Sequence, residues 1–147
     1  MGASGWDYYV PYQEDLNAAL DALRDKVFAA GDYWWAVPGE YGKSAADYPN
    51  RPTTWDDLFD DEEVQESGTH SILDVFKVIE PGENPEFGTV EPVSPAEALA
   101  HVGTEHPTRE HAKALTELAE RRWHGRCAVL HENGKPTEIY FFGSSGD

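Results

Sequence analysis

Cys127-Ala128-Val129-Leu130-His131-Glu132-Asn133-Gly134-Lys135-Pro136-Thr137-Glu138-Ile139-Tyr140-Phe141-Phe142 is the stretch that decides the fold. Asn-Gly between two apolar runs is the strongest short-range signal for a two-residue β-hairpin, because a type I′ turn needs positive φ at both central residues. An unbroken hairpin over this turn sets Glu138 opposite Val129 and Tyr140 opposite Cys127 on one face, with Ile139 opposite Ala128 on the other. Cys127 facing Tyr140 reads as a core residue.

Working outward, Thr108 opens a helix with Ala112, Leu115, Leu118, Ala119 and Trp123 along one side. Arg121, Arg122 and Arg126 follow, where cations suit a helix C-terminus. Ser94-Pro95-Ala96-Glu97 is a helix start that combines a cap, a first-position proline and an N3 glutamate, and Gly103 ends that helix. The stretch 81–92 reads as loop. Thr69 to Ile79 reads as a central strand, with Ile72, Phe76 and Val78 on one face and Leu73, Val75 and Ile79 on the other. Thr54 caps a short helix containing Trp55, Leu58 and Phe59. Residues 38–53 are rich in Gly and Pro and are expected to form an ordered loop holding Tyr41 and Tyr48. Asp32 to Val37 reads as an aromatic strand. Leu16, Leu20, Leu23 and Val27 recur at helical spacing, with Gly31 as the stop. Trp6 to Val10 is a strand with Trp6, Tyr8 and Val10 on one face. The expectation is one α+β domain over 1–147, with a mostly antiparallel sheet of about five short strands and about four helices.

Charge narrows the partners. The chain carries 28 Asp and Glu against 11 Lys and Arg, a formal net charge of −17 over 147 residues. Residues 1–80 hold 17 acids and 5 bases, a net of −12, while residues 81–147 hold 11 and 6, a net of −5. Asp56, Asp57, Asp60, Asp61, Glu62, Glu63 and Glu66 fall within eleven residues that contain no base. Such a surface repels nucleic acid and anionic membrane and steers cationic partners toward itself. Aromatics make up 12% of the chain, far from the composition of a disordered acidic tail. The single cysteine fits a reducing compartment, and no apolar run is long enough to span a membrane, so a cytoplasmic protein is expected.

Candidate chemistry is sparse. Asp74 lies in an apolar run and needs a partner or a raised pKa. On an extended strand His70 and Asp74 would sit ~13 Å apart and form no dyad alone. Beside the hairpin, His70 or Asp74 could share a cleft with Glu138, and a His, a Tyr (Tyr140, beside Glu138) and a Glu spread over strands resemble ADP-ribosyltransferases in a general way. His101, His106 and His111 are spaced five apart, which turns each off the face of the last. The acidic run lacks the alternating order of a calcium loop. No metal and no cofactor is therefore expected.

The segments Ser4 to Tyr12, Ser67 to Asp74 and Ile139 to Gly143 resemble those of cytosolic proteins of high-GC, Streptomyces-type actinobacteria, a group without an assigned function. The resemblance implies a bacterial cytosolic origin and transfers no residue role.

The sequence thus favours an acidic, non-catalytic binding protein. Its most concrete form is an immunity or inhibitor protein that blocks the basic active site of a toxin or of an enzyme acting on nucleic acid or nucleotides. The expected contacts are Tyr41, Tyr48, Trp55 and the seven carboxylates of 56–66. The alternative is a small transferase or hydrolase using His70, Asp74 and Glu138. A third is a housekeeping domain whose charge serves solubility.

Overall fold

The computed structural model describes residues 5–37 and 41–146. Asn133 (φ 54°) and Gly134 (φ 76°) both adopt left-handed backbone, as a type I′ turn requires. They join β6 (His124–Glu132) to β7 (Lys135–Ser144) in an antiparallel pair.

The register departs from the expected one. Glu132 opposes Lys135 and His131 opposes Pro136, but Leu130 opposes Glu138, which leaves Thr137 as an extra residue. This is a β-bulge, and it is held from both sides. The Thr137 hydroxyl donates to the Leu130 carbonyl at 3.4 Å, and the Tyr12 N–H donates to the Thr137 carbonyl at 3.1 Å. One inserted residue turns every later side chain to the other face. Cys127 therefore faces Phe141, and Ala128 faces Tyr140.

The sheet order is β1-β7-β6-β5-β4. β1 (Gly5–Pro11) runs antiparallel to β7, whereas β5 (Thr89–Pro92) runs parallel to β6 and to β4 (Lys77–Val78). The sheet is thus mixed rather than mostly antiparallel. The parallel β5–β6 pair demands a long crossover. That crossover contains α4 (Pro95–Val102) and α5 (Ala112–Leu115). α4 is capped by Ser94 and stopped by Gly103, as its sequence indicates.

Both faces of the sheet are covered. On one face α1 (Leu16–Ala30) packs Leu20, Leu23 and Val27 against Trp6, Val90, Cys127, Ile139 and Phe141. On the other, Ala112 and Leu115 pack against Ala128, Leu130, Tyr140 and Phe142. Hence Ile139, Tyr140, Phe141 and Phe142 are all buried, alternately into one core and the other. A fully buried strand reads as a continuous apolar run for this reason. Burial pushes the Cys127 thiol up to about 12, so it is an inert core residue.

Three other elements differ from expectation. The aromatic strand after α1 shortens to β2 (Trp34–Trp35), paired with β3 (Lys43–Ser44) in a separate ribbon. The helix from Thr108 breaks into a 3-10 turn (Arg109–His111), α5 and a second 3-10 turn ending at Leu118. Trp123 lies beyond it at φ 65°, and Arg126 belongs to β6, where its guanidinium holds Glu97 and the Glu91 and Pro92 carbonyls.

The expected central strand Thr69 to Ile79 is instead a 3-10 turn (Ile72–Asp74) followed by β4 at the sheet edge. Asp74 explains the change. Its Oδ1 accepts from the Thr69 N–H at 2.7 Å and from the Thr69 hydroxyl at 2.8 Å, and Ser71 caps the turn through the Leu73 N–H. These local side-chain bonds divert the backbone from a ladder. Ile72, Leu73 and Val75 are all buried as a result, while Phe76 is left 51% exposed.

Candidate functional site

The acidic run forms two helices, α2 (Trp55–Phe59) and α3 (Glu62–Ser67), rather than one. Thr54 starts α2 by accepting from the Asp57 N–H at 3.1 Å. Asp61 starts α3 by accepting from the N–H groups of Glu63 (2.9 Å) and Val64 (3.3 Å) through Oδ1. Its Oδ2 accepts from the Trp35 indole at 3.1 Å. Asp61 is thus a half-buried cap that ties α3 to the core. Leu58 and Val64 anchor the two helices from below.

Asp56, Asp57, Asp60, Glu62, Glu63 and Glu66 are exposed. Among the described residues, no ion pair joins any of them to a cation. Acids elsewhere are treated differently. Glu138 takes Arg109 in a two-point bond of 2.8 and 2.9 Å, while Glu97 and Glu91 share Arg126. Among the described residues, the carboxylates of α2 and α3 therefore form a field with no ion-paired counter-charge.

The aromatic candidates separate by role. Trp55 is half-buried, stacked on Phe28 at 4.3 Å with the Arg24 guanidinium 4.6 Å from its ring. Tyr48 is half-buried, edge-on to Trp35 at 5.2 Å, and its hydroxyl donates to the Tyr41 carbonyl at 3.3 Å. Trp35 thereby touches both Tyr48, from the 41–53 part of the expected loop, and Asp61, at the start of α3. Tyr41 is 96% exposed. Residues 38–40 of that loop lie outside the described residues.

Of the residues of the enzyme reading, the 3-10 turn brings His70 nearer Asp74 than an extended strand would, but Glu138 does not join them. Asp74 sits by the C-terminal end of β7, near Ser145, whose hydroxyl helps its charge without forming a well-aligned hydrogen bond. Burial pushes the Asp74 carboxyl above the ordinary range, against the opposing effect of the two Thr69 bonds and of nearby His70. His70 stacks on Trp34 at 4.8 Å. Glu138 lies seven residues before Ser145 in the chain, which places it ~20 Å away along an extended strand. There it is clasped by Arg109, itself over the Tyr9 ring at 4.0 Å, and that bond holds its carboxyl below the usual range. The crossover histidines also diverge. His101 bonds the Ala114 carbonyl, His111 accepts from the Thr108 N–H, and His106 packs on His131. Among the described residues, no group of three His, Cys, Asp or Glu could hold a metal ion. Among the described residues, no helix is long and apolar enough to cross a membrane.

One feature of the region has no counterpart in the sequence reading. A cavity of about 470 Å³ opens beside α2 and α3, walled by Phe59, Val64 and Gln65 on that side and by Phe76, Phe87 and Trp123 on the other. The chain distances between these walls hide it in the sequence. Asp61 as a cap was legible, since Asp followed by Glu-Glu-Val is a helix-start pattern.

Comparison with known protein families, with curated proteins and with solved structures finds no match to this chain.

Proposed function

We propose that this chain is an acidic, non-catalytic binding protein of the immunity or inhibitor kind, whose α2–α3 face docks on a basic site of its protein partner. The observation that carries the reading is the set of six exposed carboxylates on two capped helices and at the turn between them, none ion-paired among the described residues. A field held on rigid elements and not spent on internal ion pairs remains available to steer a cationic surface. A toxin or an enzyme acting on nucleic acid or nucleotides presents such a surface. The alternative, a transferase or hydrolase using His70, Asp74 and Glu138, draws no support from the geometry, because Glu138 is bonded to Arg109 at the far end of β7.

Capture of the partner from host lysate tests this. Recovery at ~0.05 M salt should be strong and should fall at ~0.5 M, where screening reaches within a few ångströms. Reversing Asp57, Asp60 and Glu63 to Lys should abolish capture at low salt and leave the melting temperature unchanged. Equal capture by the reversed variant would overturn the reading.

A further inference from the structure

The cavity beside α3 has the properties of a binding site that the acidic field alone does not explain. Its size suits one large side chain or small molecule. Its far wall is aromatic and open, with Phe76 51% and Phe87 60% exposed. Clustered exposed aromatics on a surface this charged point to an interaction site. The wall is also preset. The Phe87 and Trp123 rings pack at 5.1 Å. Phe76 crosses so close over Gly88 (φ 77°) that a Cβ there would overlap its ring. On the near wall, the Gln65 amide donates to the Phe59 carbonyl at 2.8 Å, which joins α3 to α2.

Two further facts select the occupant. Phe59, Val64 and Gln65 belong to α2 and α3, and the exposed carboxylates Asp57, Asp60, Glu63 and Glu66 neighbour them in sequence, so a partner segment entering here meets the acidic helices. Arg24, Leu73 and Asp74 complete the lining, with Asp74 Oδ2 and Arg24 Nε themselves buried rather than open to the cavity. A chamber lined by Phe59, Phe76, Phe87 and Trp123 suits an aromatic side chain, and tryptophan and tyrosine are the aromatic anchors that interfaces favour.

We propose that this cavity is the anchor socket of the docking face: it receives one tryptophan or tyrosine side chain of the partner, borne on a segment whose flanking Lys and Arg lie over α2 and α3. This rests on the docking reading above and adds the residue class that enters. Anchors of these types dominate interfaces when they fill a dry pocket.

Pentapeptide probes, titrated against the full chain and followed by amide chemical shifts, test the socket without the partner in hand. Tryptophan between four lysines should bind at least ~10-fold more tightly than alanine between four lysines. Shifts should centre on Gln65, Phe76, Phe87 and Trp123. Phe87→Ser, which removes wall, and Gln65→Trp, which fills the chamber, alter exposed positions and should erase that preference without loss of folding. Equal, salt-sensitive binding of the two lysine peptides would overturn the socket while leaving the docking reading intact. Equally tight binding of tryptophan between four glutamates would overturn both, as would no binding by any probe.

Discussion

Asp74 sits where burial and hydrogen bonding oppose each other. Desolvation dominates and raises its pKa, so the native state keeps the proton to a higher pH than the unfolded chain does. Unfolding between those two values releases a proton, and this contribution to stability is lost as pH rises through the folded value. Asp74→Asn keeps an oxygen for the Thr69 N–H and hydroxyl and removes the titration. The expected result, read from thermal melts between pH ~3.5 and ~7, is a variant at least as stable as the parent near neutrality, with a flatter pH profile. Parallel profiles would show that Asp74 does not titrate in this window. Asp74→Ala leaves the buried Thr69 N–H unpaired and should lose about 1–3 kcal/mol. Two glycines give a sharper contrast at the same scale. A Cβ on Gly134 meets open space, so Gly134→Ala should lose only the ~1–2 kcal/mol of its left-handed backbone. A Cβ on Gly143 would overlap the Trp6 ring and lie 2.7 Å from the His124 carbonyl, so Gly143→Ala should lose more than ~3 kcal/mol. Similar losses for the two, in denaturant titrations, would contradict the close β1–β7–β6 packing.

At the level of elements, the bulge at Thr137 sets which residues of β7 enter which core. Deleting Thr137 restores the unbulged register that the turn alone favours, and it turns Glu138 to Phe142 onto the wrong faces. The expected outcome is loss of cooperative unfolding, whereas Thr137→Ser should remain native. A folded deletion variant with a sharp melt would mean that the register is set elsewhere. The same bulge shows why the hairpin was only half legible. The turn is local and announces itself in Asn133-Gly134, but the register depends on Tyr12, more than a hundred residues away in sequence. Helix ends with local signals were legible to the residue: Gly31 stops α1, and Ser94 and Gly103 bound α4, while the Asp15 cap of α1 went unread. β5 was not, because Glu91-Pro92 reads as loop and its parallel partners lie across a crossover. The Thr69 to Ile79 run misled for a related reason. Period-two apolarity does not separate a strand from a buried turn whose side chains all point inward, and only the Thr69–Asp74 bonds decide between them.

Across the whole molecule, charge was the legible part of the site and shape was not. The run of 56–66 shows in composition, but its meaning changes once Asp61 is seen to be a cap and the other six stand without ion pairs among the described residues. The cavity joins side chains from residues 24 to 123, a convergence no local pattern encodes. The central claim is that this one face docks the basic partner, rather than the net charge of −17 acting diffusely. The most direct test compares two double reversals of equal charge change: Asp60→Lys with Glu63→Lys on the acidic helices, and Glu105→Lys with Glu110→Lys by the crossover. Association rates with the captured partner are measured from ~0.05 to ~0.5 M salt. The account predicts that the first pair slows association at least ~10-fold at low salt and flattens its salt dependence, while the second leaves both nearly unchanged. Equal slowing by the two pairs would contradict it.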